Sequence, residues 1–272
     1  MTSKKNWLSV PYLFWSGLFI IVPLGMVVYY GLTDRTGAFT LDNITAIASA
    51  GHAKALRLSL LLSLVSTVIC FLLAYPLAMI LAQVQVKRHN FIILIFILPM
   101  WMNFLLRTLA WQTLLEKNGV INHVLSFLHL PTLKIINTPA AIILGMVYNF
   151  LPFMILPLYN ALAKIDGNVI NAAHDLGAGH IHTFFRIILP LSIPGIISGI
   201  TMVFIPALTT FVISSLLGGG KLLLIGDVID LEFTKTSNWH LGSGLSMVLM
   251  IFILINMVLS AIFDKDGEGS ML

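Results

Sequence analysis

Charged residues are scarce in this sequence: they make up 10% of its 272 residues, whereas 58% of the residues are hydrophobic. A soluble domain of this size needs far more charge on its surface to stay dispersed in water. The long apolar runs contain no Asp or Glu at all. This scarcity excludes an ordinary soluble protein and indicates a chain that lies in lipid.

Cysteine and basic clusters are almost missing as well. The single cysteine, Cys70, lies in the middle of an apolar run, so it has no disulfide partner in this chain and is predicted to be a small apolar filler. The net charge of +4 is spread over the loops and never gathers into a basic run. The sequence therefore argues against a nucleic-acid partner.

What is present is a series of long apolar runs. A helix that spans a bilayer needs roughly 20 consecutive apolar residues. Hydrocarbon cannot hydrogen-bond free backbone groups, and the runs lack the alternation of barrel strands, so helices are predicted. We expect one all-α, multi-pass membrane domain whose six spans cover about 7–32, 57–82, 91–115, 138–160, 191–216 and 241–263.

An even number of spans places both termini on the same side of the membrane. Lys and Arg are shared equally between the two sides, so their positions decide the orientation. Lys4 and Lys5 flank the first span, and Lys87 and Arg88 crowd the shortest loop, which favours cytoplasmic termini. The first apolar run is too long for the core of a cleaved signal peptide, so we expect it to be retained.

The apolar stretch from Ile187 to Gly220 is too long for one simple span. As a straight helix it would measure about 51 Å, against a hydrocarbon core of about 30 Å. Pro190 and Pro194 are predicted to break it near its start. The G-x-x-x-G step at 195–199 either admits a neighbouring helix or is chance spacing.

The loop over 164–186 follows the pattern helix, glycine, helix. Apolar residues recur at helical spacing on both sides of Gly177 and Gly179, which predicts two short helices that meet at a bend. We expect a small-residue patch that admits another protein, and phenylalanines that anchor the second helix to the membrane domain. The patch consists of Ala172, Ala173, Gly177 and Ala178.

This loop resembles the EAA loop of ABC importer permeases, with Asn-Ala-Ala, then Gly177, then Leu189-Pro190 at the family's spacing. The resemblance extends over nearly the whole chain and narrows to the spermidine/putrescine branch. Asn171 stands where the family has a glutamate, and Asp175 is the nearby carboxylate that could replace it. Further matching segments are 39–43, 98–107, 151–159, 175–178 and 224–229.

The resemblance implies a permease subunit, not an enzyme, in a bacterial inner or plasma membrane. It implies three kinds of protein partner besides lipid: a second homologous permease, two copies of an ABC ATPase and an extracytoplasmic polyamine-binding protein. ATP and Mg²⁺ would belong to the ATPase, since the glycine-rich run before Lys221 lacks a P-loop's required residues. The residues implied in ATPase coupling are Asn171, Ala172, Ala173, Asp175, Gly177, Ala178 and Pro190.

Arg107 is the one charge well inside a predicted span, and a central arginine costs about 2.5–3.5 kcal/mol on insertion scales. Asn103, Arg107 and Trp111 recur at a spacing of four residues, so they are predicted to share one stripe of the third span. With Trp101, this stripe could line the translocation path. Alternatively, Arg107 snorkels to the outer headgroups or pairs with a carboxylate.

A polyamine would need carboxylates for its ammonium groups and aromatic faces for its stem. The predicted outer loop between the last two spans offers Asp227, Asp230 and Glu232, followed by Trp239. These acids could contact substrate, dock a solute-binding protein or simply be solvated. The three histidines at 174, 180 and 182 lack a frame of cysteines or carboxylates, so no metal site is predicted.

Other functions remain to be weighed. An ABC permease for another small solute would share much of this pattern. A secondary transporter would need acids at the bilayer midplane for ion coupling, and a membrane enzyme would need a cluster of His, Asp or Glu at span depth. Neither requirement is met by the predicted spans.

Overall fold

The computed structural model describes residues 10–83 and 98–269. Within these ranges all regular elements are helical apart from one isolated antiparallel bridge between Thr33 and Phe39, which confirms the all-α class. The chain divides into two units. The first comprises residues 1–55 and 228–253, and the second comprises 56–227 and 254–272.

The helices of the chain are numbered here in order. The first seven are α1 (Val10–Ser16), α2 (Val22–Gly31), α3 (Asp42–Thr45), α4 (Ala50–Gln83), α5 (Phe104–Leu115), α6 (Val120–Phe127) and α7 (Pro139–Leu162). The others are α8 (Gly167–Asp175), α9 (His180–Thr183), α10 (Leu189–Leu191), α11 (Ile193–Thr209), α12 (Val212–Leu217), α13 (Ile225–Thr234) and α14 (Trp239–Gly269). Two π-helical turns, Gly17–Ile21 and Phe184–Ile188, continue α1 into α2 and α9 into α10.

The first unit joins α2, α3 and the start of α14 through backbone carbonyls left over at the end of α2. His240 Nδ1 lies 2.7 Å from the Thr33 carbonyl oxygen, so this nitrogen carries the proton and donates. The Asn43 side-chain amide donates to the same carbonyl oxygen at 2.9 Å. These bonds satisfy groups that a helix end otherwise leaves unpaired.

The second unit has its core where α11 packs on α7. A Cβ atom at Gly195 would lie 2.5 Å from the Cβ of Ala161, and one at Gly199 would lie 2.7 Å from the Sδ of Met154. Only glycine permits this approach, so the interpretation of the G-x-x-x-G step as a helix contact is confirmed.

Within the described ranges, four helices are long and apolar enough to cross a membrane: Phe14–Gly31, Ala50–Ala82, Pro139–Leu162 and Trp239–Val258. A fifth candidate is the bent pair His180–Leu191 and Ile193–Thr209. The remaining predicted span begins at 91, and its residues 91–97 lie outside the described part. Its described part is not one continuous helix, because a 3₁₀ turn at Leu98–Trp101 is followed by a new start at α5.

The predicted break near the start of the long apolar stretch is confirmed. The chain passes through Pro190 in helical conformation and turns by 63° at Ser192, between the two prolines. Pro194 lies in the first turn of α11, where a missing N–H leaves no hydrogen bond unmade, whereas Pro190 follows the helical residues 180–188. As expected, residues 187–189 belong to the helix that precedes the break.

A second break was not predicted. The predicted span over 191–216 is interrupted at Thr210, which is extended (φ −65°, ψ 139°) and only 9% exposed, and α12 begins two residues later. Non-helical backbone is tolerated at membrane depth where protein surrounds it. The start of α13 helps to cover the break, since a Cβ at Gly226 would lie 2.7 Å from the Thr209 carbonyl oxygen.

Candidate functional site

The segment over 164–186, called the coupling segment here, connects α7 to the bent pair. Asp166 caps α8 by accepting the Asn168 N–H at 2.9 Å. At the other end, Ala178 N–H donates to the Ala173 carbonyl and Gly177 N–H donates to the His174 carbonyl, each at 2.9 Å. This pair of bonds is a Schellman motif, and the predicted pattern of helix, glycine, helix is confirmed.

Gly177 occupies the position of that motif that requires a left-handed backbone, with φ +84°. Residues that carry a Cβ pay roughly 1–2 kcal/mol for this conformation. A Cβ atom built at Gly177 would meet nothing within 4 Å. Within this chain, glycine is thus required by conformation and not by space.

The outward surface of the coupling segment is partly apolar. Leu176 is 89% exposed, Ile181 is 77% exposed and Phe185 is 60% exposed. These three residues are called the docking face here. A cavity of about 640 Å³ lies beside α9 and is lined by Ile181 and Phe185 together with Gly179, His180, His182 and Arg186. Such exposed apolar residues, rimmed by polar ones, mark a surface that contacts another protein or the membrane.

The predicted small-residue patch is divided between two directions. Ala172 and Gly177 are exposed and Ala178 is half-buried, but Ala173 is buried. Successive residues of a helix are turned by about 100°, so neighbouring alanines cannot share one face. The interpretation of Ala173 as part of an open patch is wrong. The other predicted coupling residues, Asn171, Asp175 and Pro190, are exposed.

The second helix of the segment is anchored by one phenylalanine. The half-buried Phe184 packs its ring edge-on against Tyr75 of α4, with centroids 5.7 Å apart. Phe185 is exposed, so the expectation that both rings anchor the helix is wrong. The Tyr75 hydroxyl is hydrogen-bonded to Ser192 Oγ at 2.8 Å.

Tyr75 therefore contacts both the coupling segment and the residue at which the bent pair turns. Sequence reasoning missed Tyr75 and Ser192. They are separated by 117 positions, and neither belongs to a recognisable local motif.

Two residues of the predicted stripe, Arg107 and Trp111, lie on α5. Asn103 caps α5 by accepting the Leu105 N–H at 2.8 Å, so it precedes the helix that carries Arg107 and Trp111. An asparagine favours this position because its side chain competes for backbone N–H groups. Trp101 is 80% exposed in the 3₁₀ turn, whereas Trp111 is half-buried and packs against Tyr148.

Arg107 points into the protein. It is 7% exposed, and its Nε and Nη1 have no hydrogen-bond partner within the part of the chain that the structure describes. The alternative that Arg107 snorkels to the headgroups is contradicted by this burial.

The acids expected in an outer loop lie on α13 instead. Asp227 is 5% exposed and accepts the Leu224 N–H at 2.8 Å, so it caps the start of that helix. The interpretation of Asp227 as a solvated loop acid is wrong. Asp230 and Glu232 are half-buried farther along the same helix, and Glu232 accepts the Thr236 hydroxyl at 2.7 Å.

Trp239 belongs to a different setting from the one predicted. Its ring packs against Phe233, and it lines a cavity of about 420 Å³ in the first unit, together with Tyr30, Arg35 and His240. Arg35 gives this cavity a positive charge, which does not suit a polycation. Among the described residues, no group of three or more His, Cys, Asp or Glu could hold a metal ion. The rings of His174 and His180 contact each other at 5.0 Å.

Long apolar helices, two interrupted spans and an exposed helix pair between spans are typical of an integral-membrane transport protein. The family model described as "Binding-protein-dependent transport system inner membrane component" matches residues 43–265. The chain belongs to this family. It is a permease subunit of an ABC importer and not an enzyme.

Similar proteins support the same assignment. The spermidine/putrescine transport system permease protein PotB of Haemophilus influenzae is 37% identical, over 93% of this chain and 94% of that protein. PotB of Escherichia coli (strain K12) is 38% identical over 87% and 89% of the two chains. A chain of a bacterial ABC transporter that imports the acidic polysaccharide alginate has the same fold, with a TM-score of 0.78, 18% identity and coverage of 97% and 96%.

Proposed function

We propose that this permease imports polyamines of the spermidine and putrescine class. The observation that carries the proposal is the similarity to PotB of Haemophilus influenzae, which covers both chains nearly end to end. A transport path depends on the whole helical domain, so a match of this extent is a stronger argument for substrate class than a shared loop motif would be.

The proposed assembly contains a second, homologous permease, two ABC ATPase subunits and an extracytoplasmic polyamine-binding protein. ATP and Mg²⁺ would be held by the ATPases. Both termini and the coupling segment would face the cytoplasm. The exposed docking face of Leu176, Ile181 and Phe185 supports a protein contact at this segment.

Force from the ATPase would reach the membrane helices through Tyr75. The ring contact between Phe184 and Tyr75 joins the coupling segment to α4, and the hydrogen bond from Tyr75 to Ser192 joins it to the 63° bend before α11. Because packed elements shift as units, a push on α9 would turn α11 against α7 and change the side to which the path opens.

In the second unit, the exposed Trp101 offers a ring face to an ammonium group. In the first unit, the carboxylates of Asp230 and Glu232 offer acceptors. Arg107 and Asp227 are not proposed as substrate contacts. Arg107 would repel a polycation, and Asp227 is engaged at the start of α13.

The test is purification of the tagged chain from its native membrane, followed by ATPase assays in liposomes with the binding protein. We expect an ATP-binding subunit to co-purify, and ATP hydrolysis to rise when spermidine or putrescine is added to the binding protein. Stimulation by another solute class but not by polyamines would refute the substrate. Recovery without any ATP-binding subunit would refute the assembly.

A further inference from the structure

Two buried side chains in the second unit have hydrogen-bonding atoms without partners within the described ranges: one has free donors and the other has a free acceptor. Arg107 on α5 has N–H donors at Nε and Nη1 without a partner among the described residues, and Asn149 on α7 has an acceptor, Oδ1, in the same condition. Asn149 is 1% exposed, and its amide N–H₂ donates to the Gly145 carbonyl at 2.8 Å. This bond fixes which end of the amide is left over.

Ring contacts place both groups at one helix interface. Phe104 stacks on Phe150 with centroids 6.4 Å apart, and Trp111 packs edge-on against Tyr148 at 5.2 Å. Along α5, Arg107 lies between the two residues that make these contacts, and all three share the inward face of the helix.

The direction of Asn149 follows from its burial and from the position of Gly145. Residues four apart on an α-helix share a face, so Asn149 lies on the face of α7 that Gly145 turns toward α12. Its neighbours in sequence, Tyr148 and Phe150, both contact α5. Asn149 is therefore buried where α7 meets α12, beside the contacts that α7 makes with α5.

A third helix closes this junction. Helix α12 packs against both α5 and α7 and begins just after the break at Thr210. Its contact with α7 is close, since a Cβ at Gly145 would lie 2.9 Å from Cγ2 of Ile213. An unpaired guanidinium in such a place is costly, because burial removes its hydration and nothing replaces it.

We propose that Arg107 and Asn149 are partners across the junction of α5, α7 and α12, joined through bound water, and that they hold α5 in register against α7. Water can accept from the guanidinium and donate to Oδ1, and polar atoms buried in this way are where proteins bind internal water. The pair is a positioning device, because a guanidinium repels a polycationic solute. The pairing itself does not depend on which solute is carried.

The test is a double-mutant cycle on the purified transporter, with melting temperature as the measurement. Asn149→Asp creates a carboxylate that can pair with Arg107, so we expect a melting temperature equal to or above the wild type. In the Arg107→Leu background the same Asn149→Asp change leaves a buried acid unpaired, and we expect a large drop. Equal shifts in both backgrounds would overturn the pairing.

Asn122 on α6 provides a matched control. It is also a buried asparagine, 5% exposed, but its side chain is saturated by backbone groups, including a bond of 2.8 Å from the Leu133 N–H to Oδ1. Asn122→Asp should lower the melting temperature equally with and without Arg107. Should Arg107→Leu fail to assemble, Asn149→Leu alone and with Arg107→Lys forms a second cycle, in which additive shifts would overturn the pairing.

The positioning role is tested by uptake kinetics. Arg107→Lys keeps the charge and can still donate to water, whereas Arg107→Gln does not keep the charge. We expect Lys to restore most of the maximal uptake rate that Gln loses, with the half-saturating concentration of solute unchanged in both. A raised half-saturating concentration at an unchanged maximal rate would show that Arg107 contacts solute and would overturn the positioning role.

Discussion

Gly177 separates docking from folding in a way that can be measured. Its left-handed backbone costs a residue with a Cβ roughly 1–2 kcal/mol, and asparagine tolerates this conformation better than most residues. Since a Cβ there meets nothing within 4 Å, no further steric cost arises inside this chain. For Gly177→Trp we therefore expect normal membrane insertion, a melting temperature only a few degrees lower, and loss of both the ATPase subunit and uptake.

Gly37 is the matched control for this change. It has nearly the same backbone, φ +83°, and equally open surroundings, but it lies outside the coupling segment. Gly37→Trp should show the same modest loss of stability with the ATPase subunit retained. Gly177→Asn should keep more uptake than Gly177→Trp, because it adds little bulk to the docking surface.

The assay is co-purification of the ATPase subunit together with uptake by intact cells. Unaltered uptake by Gly177→Trp would refute the docking of a partner at this bend. Equal loss of the ATPase subunit from the Gly177→Trp and Gly37→Trp variants would attribute the effect to backbone strain and refute the argument from open space.

Three further predictions concern the contact between Tyr75 and Ser192, the core and the turn at 34–38. Tyr75→Phe removes the hydrogen bond to Ser192 at a cost of about 1 kcal/mol, so we expect the transporter to assemble but to consume more ATP per solute molecule. An unchanged ratio of ATP to solute in liposomes would contradict the proposed transmission of force through Tyr75. Gly195→Leu should prevent α11 from packing on α7 and abolish purification of the assembled complex, whereas Gly25→Leu, which has open space, should not. The Thr36 hydroxyl, followed by the Ala38 and Thr36 N–H groups, holds the pKa of Asp34 below its ordinary value. The turn therefore keeps its full stability at neutral pH and loses it as the pH falls through that lowered pKa. Protection of the amides over 36–38, relative to their intrinsic exchange rates, should fall only in acid, and protection that is the same at all pH values would contradict this account.

The features that sequence reasoning predicted correctly are local ones. Helix α8, its end at Gly177 and the restart before α9 depend on spacing and on backbone preferences within a few residues. The features it mispredicted depend on neighbours. Asn103 could be a helix residue or a cap, and the choice depends on where α5 begins.

The sequence also did not determine which side chains point into the protein and which point outward. Ala172 and Ala173 are identical in chemistry, and Phe184 and Phe185 are as well, yet each pair has one residue that is exposed and one that is not. Helical periodicity says that neighbours differ in direction, but contacts with distant residues, such as that of Phe184 with Tyr75, decide which one of them is covered.

By itself, the sequence determined that this chain lies in lipid, that it is helical, and that two short helices meeting at a glycine bend lie between two of its spans. These properties follow from the transfer of apolar stretches into hydrocarbon and from local backbone preferences, both of which short segments express on their own. Only the tertiary structure decided that Tyr75 joins the coupling segment to the bend at Ser192, and that Arg107 and Asn149 are both buried. The physical reason is that a hydrogen bond or a buried charge depends on atoms brought together from distant parts of the chain.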